Sequence, residues 1–125
     1  MSDEVGFRFE LFPLDLDRFL RFYVEVLRFE VRADRRHQDP PYVYLQRGSA
    51  RIGALPAWEP VEPDLRSTPQ GVELVIEVDD LEAERDAIVA SGHSLAEDIT
   101  ERPWGLRDFR IFDSEGYYLR FTTRS

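Results

Sequence analysis

Residues 71–88 have the sequence GVELVIEVDDLEAERDAI, and the spacing of the apolar residues changes in the middle of this stretch. Up to residue 78 the two sides of the chain alternate as in a strand, with Val72, Leu74, Ile76 and Val78 on one side and Glu73, Val75 and Glu77 on the other. Asp80 is a favourable N-cap, and Gly92 stands where glycine commonly ends a helix. The stretch therefore predicts a strand followed by a helix that runs to about Ser91.

An earlier part of the chain has the same organisation. Residues 5–13, VGFRFELFP, alternate in the same way. From Asp15, a favourable N-cap, apolar residues recur at intervals of three and four, which predicts a helix. These residues are Leu16, Phe19, Leu20, Tyr23, Val24 and Leu27. At an offset of 65 residues, Asp15 and Leu16 fall on Asp80 and Leu81. Any two strand–helix pairs look somewhat alike, but the matching of apolar positions along both halves favours a duplicated module.

Three further strands are predicted after each helix. They are FEVRA, YVYLQR and ARIGAL in the first half, and SLAEDIT, RDFRIF and YYLRFTT in the second. The sequence thus predicts an α+β fold of two βαβββ modules, at about residues 5–57 and 71–123, within a single domain of residues 1–125. Residues 58–70 hold three prolines and little apolar periodicity, so we interpret them as a connector.

Composition limits the classes of partner. The chain has 125 residues and no cysteine, which leaves no disulfide and no thiolate metal site. Its 25 acidic and 16 basic residues, with a net charge of −9, argue against nucleic acid as a partner. No apolar run approaches the roughly 20 residues that span a bilayer, and the N-terminus is acidic, unlike a signal peptide. These features predict a cytoplasmic protein with no membrane partner. The acidity suits a cationic ligand, although it more commonly serves solubility.

Three segments resemble the vicinal oxygen chelate superfamily, which contains glyoxalases, bleomycin-resistance proteins and extradiol dioxygenases. Residues 13–31, PLDLDRFLRFYVEVLRFEV, resemble its opening segment, with Arg28 where the family usually has glycine. Residues 71–88 resemble the start of its second module. Residues 102–121, RPWGLRDFRIFDSEGYYLRF, resemble its closing segment, with Ser114 and Glu115 in place of Pro-Asp. The resemblance implies a curled mixed sheet around a cleft, helices on the outer face, and a homodimer. Together with strand alternation, it predicts that one set of apolar residues packs beneath the helices: Phe9, Leu11, Leu74, Ile76, Val78, Leu119 and Phe121.

The resemblance also bears on metal binding. Metal-using members carry histidine, glutamate or glutamine at four strand positions, and alignment of the motifs puts Arg8, Gly53, Glu73 and Arg120 there. Only Glu73 could bind a divalent ion, and permanently charged guanidinium groups repel one. The sequence therefore predicts no metal, no other cofactor and no catalytic residue, as in the metal-free bleomycin-resistance-like members.

The residues expected to line the cleft follow from strand alternation and the family motifs. They are Arg8, Glu10, Phe12, Glu73, Trp104, Tyr118 and Arg120. Arg8 and Arg120 are expected to flank Glu73, either as part of the ligand site or as a purely structural salt bridge. The expected function is metal-independent capture of a small organic ligand, cationic or aromatic, such as sequestration of an antibiotic.

Two other functions remain open from the sequence. The first alternative is a metal-dependent lyase, isomerase or dioxygenase. It requires a different alignment of the first strand with the family, in which Glu10 rather than Arg8 occupies the metal position. A regulatory or scaffold module without a small ligand is the other alternative. The two histidines, His37 and His93, lie outside the strand positions of metal ligands, and both are expected at the solvated surface.

Overall fold

A computed structural model describes residues 5–57, 59 and 72–124. The described residues form β1 (Phe9–Leu11), α1 (Leu16–Glu25), β2 (Glu30–Arg35), β3 (Tyr42–Arg47), β4 (Ala50–Ala54), β5 (Leu74–Val78), α2 (Leu81–Ala90), β6 (Glu97–Glu101), β7 (Arg107–Phe112) and β8 (Tyr118–Thr123). The predicted connector lies outside the described residues, apart from Glu59. No helix in the described ranges has the length and apolarity needed to cross a membrane.

The strands form two four-stranded mixed sheets with the same topology. The first sheet has the order β1-β4-β3-β2 and the second has the order β5-β8-β7-β6. In each sheet the first strand runs parallel to the last, and the other neighbours are antiparallel. The prediction of an α+β fold with two βαβββ modules is therefore confirmed.

Both helices begin at the predicted N-caps. Asp15 Oδ1 accepts a hydrogen bond from the backbone N–H of Arg18 at 3.0 Å, and Asp80 Oδ1 accepts one from Ala83 at 3.0 Å. Such bonds satisfy amide groups that have no partner within the first turn of a helix. Gly92, just past the second helix, has a φ of 92° and ends it as predicted. The two helices start 65 residues apart, as the duplication requires.

The core lies between the helices and the sheets. Its fully buried side chains include Phe19 and Tyr23 from α1, Leu45, and Phe109 and Phe121 from β7 and β8. Of the residues predicted to pack beneath the helices, Leu11, Val78, Leu119 and Phe121 are buried, and Leu74 and Ile76 pack against the core at partial burial. Phe9 is 37% exposed, so its predicted burial is wrong. Its strand has three residues and stands at the end of the sheet, where one flank of the ring stays uncovered.

A buried carboxylate joins the second module to the first. We call residues 113–117, which connect β7 to β8, the docking turn. Glu115 of this turn is fully buried, and its Oε1 accepts a hydrogen bond from the backbone N–H of Leu14 at 2.7 Å. Its Oε2 accepts from Arg18 Nη2 at 2.6 Å and from Nε at 3.1 Å. The hydrogen bond to Glu115 raises the pKa of Arg18. The turn thus holds the start of α1.

Asp113 makes a second connection from the docking turn to α1. Its Oδ1 accepts from the backbone N–H groups of Glu115 and Tyr117, each at 2.8 Å, which shapes the turn itself. Its Oδ2 accepts from the Tyr23 hydroxyl at 2.6 Å. Burial raises the pKa of Asp113, and burial raises the pKa of Tyr23 well above its ordinary value. Both groups lie away from water, so the bond between the Tyr23 hydroxyl and Asp113 Oδ2 satisfies two polar atoms that water does not reach.

Glu84 on α2 forms a further contact between the modules. Its carboxylate is 4% exposed and accepts from Arg47 Nη2 at 2.7 Å and Nη1 at 3.0 Å. Arg28 Nη2 lies 2.8 Å from the same group. Arg28 has a φ of 60°, the left-handed conformation that glycine adopts without strain. Its ion pair with Glu84 gives a physical reason for an arginine where the family usually has glycine.

We expect Glu115→Gln to lower the free energy of unfolding by about 2 kcal/mol, because the amide cannot accept from Arg18 as a carboxylate does. The figure allows for the hydration of Arg18, which is 44% exposed. Urea unfolding followed by circular dichroism measures the change. Glu82→Gln is the matched control, since the Glu82–Arg107 pair is half exposed on both sides and should matter much less. Equal effects of the two substitutions would contradict the docking role of Glu115.

Candidate ligand-binding site

Strand register places the candidate residues on the sheet faces that point away from the core. On β1 and β4, Glu10 lies beside Gly53, and on β3 Tyr44 lies beside Gly53 from the other side. On the second sheet Arg120 lies between Val75 and Arg110. Gly53 and Arg120 therefore occupy equivalent places on the last strands of the two modules, in agreement with the alignment made from sequence. We call these two surfaces the open faces.

The open face of the first module carries a small polar cluster. Arg8 Nε lies 2.9 Å from Glu10 Oε2, and the Tyr42 hydroxyl donates to the same oxygen at 2.9 Å. The Arg8 guanidinium also lies 5.6 Å from the centre of the Tyr44 ring, at cation–π distance. Burial, followed by the hydrogen bond to Glu10, raises the pKa of Tyr42. Phe12, farther along the chain, is 38% exposed.

The open face of the second module carries a larger ionic network. Its centre is Asp108, which is 1% exposed and accepts at Oδ1 from Arg102 Nη2 at 2.7 Å and Nε at 3.0 Å. Arg110 Nη2 and Arg120 Nη1 lie 3.7 and 3.8 Å from Asp108 Oδ2. Arg120 Nη2 pairs with Glu73 Oε1 at 3.1 Å. Three guanidinium groups thus surround one buried carboxylate.

Aromatic rings lie at both ends of this network. Tyr118 is 5.7 Å from the Arg110 guanidinium and 5.1 Å from the ring of Phe112, which is 37% exposed. Hydrogen bonding with Tyr118 raises the pKa of Arg110. At the other end, Trp104 is 61% exposed at the tip of the β6–β7 connection, beside Gly105 with its φ of 93°. The face therefore offers both guanidinium donors and ring surfaces.

Of the two arginines expected to flank Glu73, one does so and the other pairs within the first module. Arg8 pairs with Glu10 and Arg120 pairs with Glu73. Within the ranges that the structure describes, no ion pair joins Arg8 to Glu73. The Glu10 carboxylate is therefore neutralised by Arg8 in the first module, and the Glu73 carboxylate by Arg120 in the second.

Sequence reasoning omitted Asp108, Arg102 and Arg110 from the candidate set. The alternation of RDFRIF placed Asp108 and Arg110 on the same strand face as Phe112, so a signal was present. It did not show which cations share the buried Asp108 carboxylate, because Arg102 reaches it from the turn before β7. That contact depends on how β6 and β7 fold together.

The four family metal positions do not fit a divalent ion in this chain. A Cβ at Gly53 would collide with the Tyr42 hydroxyl and the Glu10 carboxylate, so these two side chains cover the fourth-strand position. Glu73 is already paired with Arg120. In the described part of the chain, no three His, Asp or Glu residues are grouped so as to hold a metal. Under the alternative register, Glu10 would be the ligand, and it is held by Arg8 and Tyr42.

A cavity of about 940 Å³ lies between β1 and β5, where the modules meet. It is lined by apolar side chains that include Phe7, Ile76 and Leu119, and by the ion pair of Arg47 and Glu84. None of the seven predicted ligand-binding residues lines it. The cavity and the open faces are therefore separate parts of the surface.

The histidines differ from each other. His37 is exposed, as predicted. His93 lies 4.8 Å from the ring of Phe22, and its Nε2 is 2.6 Å from the carbonyl oxygen of Phe112. His93 thus keeps part of its surface exposed while the segment after α2 packs against α1, so its surface position agrees with the prediction and its ring contact adds to it.

The fold and the open faces define a two-module α+β protein whose second sheet carries an ionic and aromatic surface. The chain belongs to the Glyoxalase/Bleomycin resistance protein/Dioxygenase superfamily, whose model matches residues 7–121. No curated protein sequence matches the chain closely enough to count as a relative.

Solved structures share the fold along nearly the whole chain. TioX from Micromonospora sp. ML1 is 21% identical with a TM-score of 0.78, over 98% of this chain and 100% of TioX. TnmS3, an antibiotic binding protein from Streptomyces sp. CB03234, is 19% identical with a TM-score of 0.76, over 100% of this chain and 99% of TnmS3. A glyoxalase/bleomycin resistance protein from the same organism is 19% identical with a TM-score of 0.72, over 95% of this chain and 100% of that protein.

Gly53→Ala should lower the pKa of Tyr42, because the added methyl group separates the Tyr42 hydroxyl from Glu10 and removes the hydrogen bond that helps to raise it. In a spectrophotometric titration of phenolate, one tyrosine should then ionise at lower pH than in the unmodified protein. Gly48→Ala is the control, since no atom lies within 4 Å of the added Cβ; its φ of 58° makes it the more strained substitution of the two, so an effect of backbone strain alone would appear there first. Superimposable titrations of Gly53→Ala and the unmodified protein would disprove this arrangement.

Proposed function

We propose that this protein binds and sequesters a small organic molecule on its open faces and does not convert it at a metal centre. The observation that carries the proposal is the ion pair between Arg120 and Glu73, at two positions where metal-using relatives place ligands. A site held by an internal ion pair needs no cation to neutralise its carboxylate. Shape, ring contact and hydrogen bonding are sufficient for sequestration.

The proposed ligand-binding residues remain Arg8, Glu10, Phe12, Glu73, Trp104, Tyr118 and Arg120. Exposed rings on both open faces support an aromatic ligand, since aromatic side chains supply large contact areas and stack on planar molecules. The antibiotic-binding description of TnmS3 belongs to that protein. Together with the shared fold, it supports antibiotic sequestration as the form that binding takes here.

We also propose that the two modules act as one cytoplasmic domain and that two copies form a homodimer. Large apolar side chains beside β1 and β5 support the dimer: Val5 is 84% exposed, Phe7 74% and Val72 63%. Apolar surface of this kind, beside strands at the ends of their sheets, is typical of protein–protein contact.

Sedimentation velocity at micromolar concentration tests the dimer. We expect a dimer for the unmodified protein and a shift towards monomer for Phe7→Asp, because a charge would be buried in the contact. Val89→Asp is the matched control, since Val89 is 41% exposed on α2, away from these strands. A monomer at all concentrations, or equal behaviour of the two variants, would contradict the proposal.

A thermal-shift screen with glycopeptide and aromatic antibiotics tests ligand binding. A ligand at 100 times its Kd should add about 2.7 kcal/mol to the free energy of unfolding by mass action. Tyr118→Ala should abolish the shift, and Val89→Asp should keep it. A screen without any stabilising compound would favour the regulatory or scaffold alternative.

Elemental analysis of protein purified without chelator addresses the enzyme alternative. We expect substoichiometric amounts of transition metals, because the four family positions offer one carboxylate. Near-stoichiometric Zn, Ni, Mn or Fe would overturn the metal-independent proposal and favour a lyase, isomerase or dioxygenase.

A further inference from the structure

Two arginines face each other on the open face of the second module. Arg110 on β7 and Arg120 on β8 are direct cross-strand partners. We call them the arginine pair. Such partners have Cβ atoms about 4.5–5.5 Å apart, and like charges at this distance destabilise a sheet unless an anion lies nearby. The pair therefore needs a compensating group.

The protein's own carboxylates compensate this pair incompletely. Asp108 Oδ1 accepts a hydrogen bond from Arg102 at 2.7 Å. Asp108 Oδ2 lies 3.7 Å from Arg110 and 3.8 Å from Arg120, beyond hydrogen-bond distance. Glu73 forms an ion pair with one nitrogen of Arg120, Nη2, at 3.1 Å. The carboxylates of the described chain nearest to Arg110 are those of Asp108 and Glu97, the latter at 3.8 Å. Arg110 thus has no carboxylate at hydrogen-bonding distance in the described ranges.

The pair also carries donors that the described residues leave unused. The Nε atoms of Arg110 and Arg120 are buried and have no hydrogen-bond partner among the described groups. A guanidinium has five N–H donors and no acceptor. The two Nε atoms are covered, but the side chains of Arg110 and Arg120 are 20% and 23% exposed, so a ligand that contacts the pair and matches its charge must bring acceptor oxygens. A carboxylate brings two in the planar geometry that guanidinium groups bind.

Ring surfaces adjoin the arginine pair. Tyr118 lies 5.7 Å from the Arg110 guanidinium and 5.1 Å from Phe112, and Phe112 is 37% exposed. An aromatic ring attached to a carboxylate on Arg110 would fall within reach of these two side chains. Ring and carboxylate sites thus lie side by side on one face.

We propose that the arginine pair and the Tyr118–Phe112 rings form a subsite for planar aromatic carboxylates. The inference rests on the proposed function and names its ligand class. It replaces the cationic ligand expected from net charge, because a cation here would lie beside two guanidinium groups. The net charge of −9 acts at long range and is screened beyond about 8 Å at physiological salt, whereas the arginine pair acts by direct contact.

Isothermal titration calorimetry with three naphthalene probes tests the subsite. The probes are 2-naphthoate, the neutral 2-acetonaphthone and the cationic 2-naphthylmethylammonium, which share a ring system and differ in charge. We expect 2-naphthoate to bind at least about tenfold more tightly than the other two, since hydrogen bonds to charged groups contribute more than neutral ones.

Variants assign the effect to Arg110. Arg110→Gln should weaken 2-naphthoate by roughly tenfold and leave 2-acetonaphthone unchanged, because the charge and the planar donor fork are lost together. The affinity of Arg110→Lys for 2-naphthoate should lie between those of Arg110→Gln and the unmodified protein, since lysine keeps the charge but not the planar donor fork. If circular dichroism shows that Arg110→Gln is unfolded, Arg110→Lys replaces it in the test. Arg107→Gln is the matched control, on the same strand but the opposite face, where Arg107 pairs with Glu82.

The outcomes separate this inference from the proposed function. Tightest binding of the neutral or cationic probe, or equal affinity of 2-naphthoate for the unmodified protein and Arg110→Gln, overturns the aromatic-carboxylate subsite and leaves sequestration standing. Failure of all three probes to bind also overturns the subsite. The proposed function is tested separately, and it fails if the antibiotic screen shows no stabilising compound or if elemental analysis finds near-stoichiometric metal.

Discussion

The arrangement of the two modules depends on one fully buried carboxylate, that of Glu115. A buried charge without a partner costs several kcal/mol, and the partners of Glu115, the Leu14 amide and the Arg18 guanidinium, belong to the other module. The second module cannot shift relative to α1 without separating them. Because the docking turn leads directly into β8, the same contact sets the position of Tyr118 at the start of that strand.

The contact around Glu84 shows the same division of charge. In both contacts the second module supplies the buried carboxylate and the first module supplies the arginines. Charge-assisted hydrogen bonds of this kind are directional, so they specify an orientation more closely than apolar packing alone. They join the modules near the helices and do not involve the open faces of the two sheets.

The open faces show how one fold serves different chemistry through a few side chains. The backbone positions from which relatives bind a metal are present, but this chain fills them with ion pairs and a glycine covered by Tyr42 and Glu10. Function is determined by such sites rather than by the fold. A surface rich in guanidinium donors and rings is suited to recognising a ligand by hydrogen bonding and stacking, which is the basis of the proposed sequestration.

Local sequence patterns were enough to predict the two modules, the N-caps at Asp15 and Asp80, and the faces of most strands, because these depend on residues two to four positions apart. They did not predict which charges pair. Tyr23 and Asp113 are 90 positions apart and Arg18 and Glu115 are 97 apart, so only the docking of one module on the other brings them together. Tertiary structure likewise decided that Arg8 pairs apart from Glu73 and Arg120, that three arginines surround Asp108, and that His93 packs against Phe22. An ion pair or a ring contact depends on distance in space, and alternation along a strand carries no information about that distance.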